Sequence, residues 1–587
     1  MDHPTRREFL KTIGIAAAST GTLSIFAGCV DVNQKTSGKG KHPNVILVMT
    51  DDQGYGDLVC HGNSVIKTPN LDELYGQSVR LTNFHVGPTC SPTRAALMTG
   101  HYCNRTGVWH TIMGRSLLRK DEVTIGDIFS NGGYHTGIFG KWHLGDNYPF
   151  RPQDRGFAEV LVHGGGGVGQ GPDYWGNDYF DDTYFHNGSP RKCTGYCTDV
   201  WFDGAMEFIE ANKDRPFFCY LPTNAPHGPY NISDVYMKPY LDKGLPESQA
   251  RFYGMITNID DNVGRLMRRL RELNLEENTI LIFMTDNGTS GNGYNAGMRG
   301  KKGSEYDGGH RVPCFIRWPA GRLKGGRDIE RLTAHVDLLP TLIELCGLNK
   351  PQDLEFDGDS LVRLLTGHDR NWPDRTLITD SQRIEHPEKW RKSAVMTDRW
   401  RLINGKELYD MKADPGQKNN IADANTQVVE KLRKAYEDWW ADVSARFDEY
   451  CEIIIGSDRE NPTRLMSHDW HTPKVPWHQG HVRDGMQANG FWAVEIERSG
   501  TYQFELRRWP KEVNVPINEA IPGGKAIAVT KARLKVADMD ETKPVSEGAG
   551  SVTFRARLKA GKTQLQTWFM EDDGTSRGAY YVYAKRL

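Results

Sequence analysis

From about residue 42 to 349, short apolar runs alternate with stretches of helical spacing. The runs at 45–49, 136–139, 217–221, 280–284 and 314–316 have the length and the β-branched and aromatic content of buried strands. Between them, Ile259, Val263, Leu266, Met267, Leu270 and Leu273 recur at helical spacing with basic residues on the other side, which predicts a helix feeding the strand at Ile280. Residues 334–347 read as another helix, with Pro340 near its start and Gly347 at its end. Strands alternating with helices predict a doubly wound α/β core, covered on both faces. From 350 to 450 the text is mixed: a strand at Arg401-Leu402-Ile403, a turn at Ala413-Asp414-Pro415-Gly416 and a helix from Val428 to Val443 predict a smaller α+β subdomain. Beyond about 460 the period becomes two, with Trp492, Val494 and Ile496, then Tyr502, Phe504 and Leu506, then Val552, Phe554, Ala556 and Leu558, then Tyr581 and Tyr583. This predicts a β-sandwich-like tail.

The 587 residues suit three or four units at ~100–200 residues each. The pattern divides them into a targeting segment 1–28, a linker 29–41, an α/β domain 42–349, an α+β subdomain 350–450 and an accessory β-rich region 451–587. Lys+Arg 73 against Asp+Glu 75 gives a net charge of −2 without a broad basic face, which argues against nucleic acid as a partner. Mean hydropathy is −0.60, and no uninterrupted apolar run reaches the ~20 residues of a spanning helix. Near the start, Arg6-Arg7 precedes the uncharged stretch 12–28 and Phe26-Ala27-Gly28-Cys29. These read as a twin-arginine export signal closing on a lipobox-like cysteine, with an ordinary cleaved signal as the alternative. The expectation is an exported bacterial protein, periplasmic or at the cell surface, with Cys29 a candidate for lipidation and any membrane contact confined to that lipid. Twin-arginine export moves folded proteins, so maturation would precede translocation.

Of the ten cysteines, Cys193 and Cys197 lie close together with His186 nearby. A thiol pair or disulfide is the better reading than zinc, because no second cluster completes four ligands. Two strands end alike, in Thr50-Asp51-Asp52 and Thr285-Asp286-Asn287. If both are parallel, four hard oxygen side chains emerge at one sheet edge, a set suited to calcium or magnesium; turn-forming residues are the alternative for either strand alone. In Gly87-Pro-Thr-Cys90-Ser91-Pro92-Thr-Arg94-Ala-Ala-Leu-Met-Thr-Gly100, Ser91 suits a helix cap, Pro92 the first turn and Gly100 the stop. Cys90 then sits at the positive end of a helix with Arg94 able to reach back, which predicts a reactive thiolate or a buried capping cysteine.

Cys90-x-Pro92-x-Arg94 with Leu97-Met98-Thr99-Gly100 resembles the first signature of type I sulfatases of the alkaline phosphatase superfamily, in which that cysteine becomes formylglycine. The resemblance extends over Asp51-Asp52-Gln53-Gly54, Gly133 to His143, Ala225-Pro-His227-Gly-Pro229, Lys302 to Gly309 and Glu407-Leu-Tyr-Asp410. It departs at Asp307, where many relatives carry Glu; this is expected to affect loop packing more than chemistry. The resemblance implies an alkaline-phosphatase-like fold, a cytoplasmic maturation enzyme, and one cation, most often Ca2+, held by Asp51, Asp52, Asp286, Asn287 and the modified Cys90. It further implies that a hydrate oxygen of the modified Cys90, with Arg94 and Lys141 beside it, attacks sulfur and forms a sulfated enzyme. His227 would protonate the leaving alkoxide, His143 would take the proton that expels sulfate, and Lys302 would neutralise sulfuryl oxygens.

Substrate is less legible. The segment 163–201 interleaves Tyr174, Trp175, Tyr179, Phe180, Tyr184 and Phe185 with Asp173, Asp178, Asp181 and Asp182, either sugar platforms or a loop packed by its own aromatics. Arg507-Arg508-Trp509-Pro510 in the tail is expected to buttress rather than bind. The leading function is sulfate-ester hydrolysis on sulfated carbohydrate, such as ulvan, carrageenan or glycosaminoglycan oligosaccharides. The alternatives are a phosphonate or phosphate ester hydrolase of the same superfamily and a non-catalytic glycan-binding lipoprotein.

Overall fold

The computed structural model describes residues 42–587 except 292, 322, 324 and 369–371. The twin-arginine signal, the lipobox and Cys29 lie outside the described residues. Ten strands form the main sheet: β1 (Asn44–Thr50), β2 (Val79–Leu81), β3 (His135–Lys141), β4 (Glu159–His163), β5 (Thr183–His186), β6 (Ser189–Lys192), β7 (Phe217–Pro222), β8 (Thr279–Thr285), β9 (Cys314–Arg317) and β10 (Arg327–Ile329). Their order is β10-β2-β9-β8-β1-β7-β3-β4-β5-β6. The run from β8 through β1, β7 and β3 to β4 is parallel, whereas β9 and β5 pair antiparallel at either side of it. All five expected strands are present, in a sheet that is mixed rather than wholly parallel.

Both faces are covered because β1 is apolar at every position from 45 to 49. Val45, Leu47 and Met49 enter one core with Leu338, Leu339 and Leu342, while Ile46 and Val48 enter the other with Ile259, Val263, Leu266 and Leu270. Burying each such side chain contributes roughly 1.5–3 kcal/mol, so replacing any inward residue by a charge would break the layer. The helix expected around Ile259 spans Glu247–Glu272, and Leu338–Cys346 ends in left-handed Gly347.

In the subdomain, strands Leu377–Asp380, Ser393–Met396, Trp400–Ile403 and Glu407–Asp410 form an antiparallel meander. Helix Thr426–Val443 lays Val429, Leu432 and Tyr436 on it. The tail has two sheets, one of six strands and one of four, over a core that includes Trp492, Phe504, Phe554 and Phe569. Leu117 and Phe150 of the catalytic region belong to that same core. Residues 42–587 accordingly form one compact unit. Among them, no helix is long and apolar enough to cross a membrane.

Candidate active site

Strands β1 and β8 pair in register, Thr50 beside Thr285, so their carboxyl ends deliver Asp51, Asp52, Asp286 and Asn287 to one point. The Asp286 N–H donates to the Thr50 carbonyl, the Asp52 N–H donates to Asp286 Oδ1 at 3.1 Å, and Asn287 Nδ2 donates to Asp52 Oδ1 at 2.9 Å. Asp52 holds this position with φ 70, a left-handed turn uncommon outside glycine. Cys90 opens the helix Cys90–Thr99, whose ten residues are all buried. Its thiol donates to Asp51 Oδ1 at 3.2 Å and lies 4.0 Å from Asp52 Oδ1.

Cations close the cluster. Lys141 ends β3 and places Nζ 2.5 Å from Asp51 Oδ2, both side chains wholly buried. Lys302 reaches Asp52 Oδ1, on a loop tied by the Gly303 N–H to the Pro88 carbonyl just before Cys90. Arg94 Nη2 pairs with Asp286 at 2.9 Å and its Nη1 donates to the Lys141 carbonyl at 2.8 Å. The expectation that Arg94 reaches back to Cys90 is corrected: its hydrogen bonds go to Asp286 and to the end of β3. The expected Ser91 cap is corrected too. Thr89 is the cap residue, and it makes no side-chain capping bond.

Burial and the Asp51 carboxylate push the Cys90 pKa up, so the residue is a protonated thiol and the reactive-thiolate reading fails. Helix-end stabilisation is outweighed by the loss of water. Burial, with Asp51 alongside, also raises Asp286 despite Arg94. Burial would raise Asp52 as well, but Lys302 and His227 hold it well below the usual carboxylate range.

The two histidines have distinct hydrogen-bond states. His227 Nδ1 faces the Gly228 carbonyl at 2.6 Å, so it carries hydrogen, leaving Nε2 toward Asp52 at 3.8 Å. Burial and Lys302 lower His227 to about 4, against the pull of Asp52. His143, in a left-handed turn at φ 61 just after β3, gives Nε2–H to the Thr111 carbonyl at 2.9 Å. Its Nδ1 is buried without a hydrogen-bond partner, a free lone pair in the neutral ring. Burial, Lys141 and His468 keep that ring neutral. Cys90, His143, His227 and Lys302 line one cavity of about 150 Å³.

The donor set fits a hard divalent cation. One ligand atom each from Asp51, Asp52, Asp286 and Cys90 lies within 4.8 Å of the others, and Asn287 Oδ1 is buried without a partner. Three close carboxylates and an orphaned carbonyl oxygen are what a cation would satisfy. His85, Asp307 and His310 form a second buried group, but the guanidinium of Arg401 contacts both Asp307 and His85. A fixed cation there opposes a metal, and Asp307 instead ties the site loop to the subdomain.

Elsewhere, Cys193 and Cys197 are free thiols, and His186 pairs with Glu159. The disulfide and zinc readings both fall. Most of the aromatic segment packs on itself and its neighbours: Tyr179 and Tyr184 are fully buried, Tyr184 lies against Trp201, and Trp175 meets Trp509 edge-on. Asp173 and Asp182 accept backbone N–H groups of their own loop. Tyr179 does reach the site, donating to the His227 carbonyl at 2.6 Å. Arg508 is buried and donates to the carbonyls of Arg483 and Lys525, which is buttressing. The same cavity includes Gln170, Arg383 and Trp477, none of which the sequence singled out.

Residues 43–348 match the family described as "Sulfatase". The chain belongs to the sulfatase family. Residues 301–441 also match "N-sulphoglucosamine sulphohydrolase, C-terminal". An N-acetylgalactosamine-6-O-sulfatase of Bacteroides thetaiotaomicron is 29% identical over 511 residues, covering 71% of this chain and 96% of that one. An N-acetylgalactosamine-6-sulfatase of Sus scrofa is 31% identical, covering 72% and 89% respectively. The crystal structure of Ps i-CgsB in complex with k-i-k-neocarrahexaose is 27% identical with a TM-score of 0.64, over 70% of this sulfatase and 95% of that chain. This type I sulfatase, a sulfuric ester hydrolase, therefore has the alkaline-phosphatase-like fold with an added β-rich tail.

Proposed function

We propose that this sulfatase hydrolyses sulfate esters of sulfated carbohydrate after oxidation of Cys90 to formylglycine, with one divalent cation, calcium before magnesium, held by Asp51, Asp52, Asp286 and Asn287. The observation that carries the reading is Cys90 on the floor of a cavity, among three carboxylates and two lysines. A thiol suits a hard cation poorly; a hydrated aldehyde at Cys90 would supply a hydroxyl nucleophile, and a cation held by Asp51, Asp52, Asp286 and Asn287 would supply Lewis-acid polarisation. Lys141 and Lys302 neutralise charge that grows on those oxygens, each such contact typically worth ~3 kcal/mol. Arg94 keeps Asp286 and the end of β3 in place. With Nδ1–H held by the Gly228 carbonyl, His227 must first take up a second proton at Nε2, which Asp52 favours. From that imidazolium form Nε2 delivers the proton to the departing sugar oxygen, and His143 Nδ1 accepts the proton whose removal releases sulfate.

The carbohydrate reading is supported by the names of the relatives and by the ligand of the structural neighbour. Export belongs to the same proposal: Arg6-Arg7 and Cys29 are read as a twin-arginine signal and lipidation site, tested by cell fractionation of wild type and Arg7→Lys.

The test begins with protein co-produced with a formylglycine-generating enzyme. The tryptic peptide of residues 81–94 should lose sulfur and gain an aldehyde at Cys90. The matured protein should release sulfate from 4-nitrophenyl sulfate faster than phosphate from 4-nitrophenyl phosphate. It should also desulfate N-acetylgalactosamine 6-sulfate or a disulfated carrageenan disaccharide. Chelator should abolish release, and added calcium should restore it. Cys90 remaining a thiol beside an active maturation enzyme would sink the mechanism.

A further inference from the structure

The cavity above Cys90 has walls from three regions. Gln170 comes from the glycine-rich loop of the catalytic region, Arg383 from the turn after the first subdomain strand, and Trp477 from the tail. Trp477 is 37% exposed, the most open of the chain's 15 tryptophans, although the tail has a core in which Trp470, Trp492 and Trp509 are wholly buried. An indole left in water at the mouth of a reactive cavity is unexplained by packing.

Its backbone is fixed. The Gly171 N–H donates to the Trp477 carbonyl at 2.9 Å, and the Gln479 N–H donates to the Gly169 carbonyl at 3.1 Å. Gln479 Nε2 adds bonds to the carbonyls of Gln170 and Tyr174, and Ser467 holds the Pro476 carbonyl at 2.7 Å. His478 and His481 stand edge-on to the indole at 5.5 and 5.3 Å. Such a ring loses little freedom on binding, the condition under which aromatic contact area converts to affinity.

Arg383 sits in a left-handed turn at φ 44, with its N–H donating to the Trp109 carbonyl. Its side chain is exposed and has no hydrogen bond or ion pair among the described residues. An unpaired guanidinium and an open indole lining the same cavity as Cys90 match a sugar that carries a second anion.

We propose that Trp477 and Arg383 form a saccharide subsite of the proposed carbohydrate sulfatase, Trp477 stacking on the face of the sugar ring and Arg383 pairing with a second sulfate or carboxylate of a polyanionic saccharide. The tail is thus part of the substrate site. The inference rests on the carbohydrate reading, and its test separates the two.

Matured full-length protein and the variants Trp477→Ala, Trp477→Phe, Arg383→Ala and Arg383→Lys are compared on three substrates. 4-Nitrophenyl sulfate offers an ester without a sugar, N-acetylgalactosamine 6-sulfate one anion on a sugar, and the disulfated carrageenan disaccharide a second anion. Trp477→Ala should lower the ratio of saccharide to aryl-sulfate kcat/KM about 10-fold, carried mainly by KM, with Trp477→Phe restoring most of it. Arg383→Ala should lower kcat/KM for the disaccharide about 10-fold relative to the aryl ester, with partial rescue by Arg383→Lys and with added salt shrinking the difference. Ratios that neither alanine variant moves, in an enzyme that does desulfate a saccharide, would overturn the subsite. A wild-type enzyme that desulfates the aryl ester and neither saccharide would overturn the carbohydrate reading, and the subsite with it. Circular dichroism of each variant identifies a fold defect, in which case the Phe and Lys variants carry the comparison.

Discussion

At the floor of the cavity, Asp51, Lys141, Arg94 and Asp286 are wholly buried and hold one another by charge, whereas at its mouth Trp477 and Arg383 stand in water, positioned by backbone hydrogen bonds. Floor residues cannot change singly, because each removal strands a partner in a medium that punishes unpaired charge. Mouth residues lose contact with substrate and little else. Chemistry and selectivity are thereby assigned to parts of the chain with different tolerance for change.

The contrast can be broken most sharply at Cys90. Cys90→Ala removes the atom on which the proposed maturation would act, and sulfate release should fall about 10⁴-fold or more while the protein stays folded. Lys141→Ala should cost the metal-free protein ~3–5 kcal/mol, read as a lower urea midpoint, since Asp51 is left buried and unpaired. Trp477→Ala, by the same measurement, should cost less than about 0.5 kcal/mol; a large loss there would erase the distinction between floor and mouth.

Between the two lies Gly166, where an added Cβ would stand 2.2 Å from His143 Cε1. Gly166→Ala should displace that ring and lower kcat by roughly 10²-fold, because small misplacements of a catalytic group cost rate steeply. On turnover, a smaller effect than at Gly166 is expected at Gln479. Gln479→Ala removes hydrogen bonds to the glycine-rich loop, should cost ~1–2 kcal/mol and should raise KM for the saccharide more than it lowers kcat.

The floor was legible in the sequence because it is local. Apolar runs of fixed length end in carboxylates, and register between β1 and β8 does the rest. The state of Cys90 was not legible, because a helix N-terminus argues for a thiolate only where water remains. Arg94 was misassigned because spacing along a helix says which residues share a face, not which buried carboxylate competes for the guanidinium. Trp477 was hidden for a different reason. It stands between Pro476 and His478, outside the two-residue period of the tail strands, and its place depends on bonds to Gly169 and Gly171, some 300 residues away in the chain. The crowded aromatics of 174–185 drew attention instead, and most of them are structural.

The bonds that pin the segment at 477 come from main-chain atoms and from the side chains of Gln479 and Ser467, none from the side chain of residue 477 itself, so they do not depend on which side chain stands there. A lineage can therefore exchange the residue of the proposed saccharide subsite without rebuilding its support, and can do so without disturbing the strand ends that would hold a cation. Adaptation to a new polymer needs no new catalyst under this arrangement. It needs point substitutions on a ledge that the fold already keeps rigid.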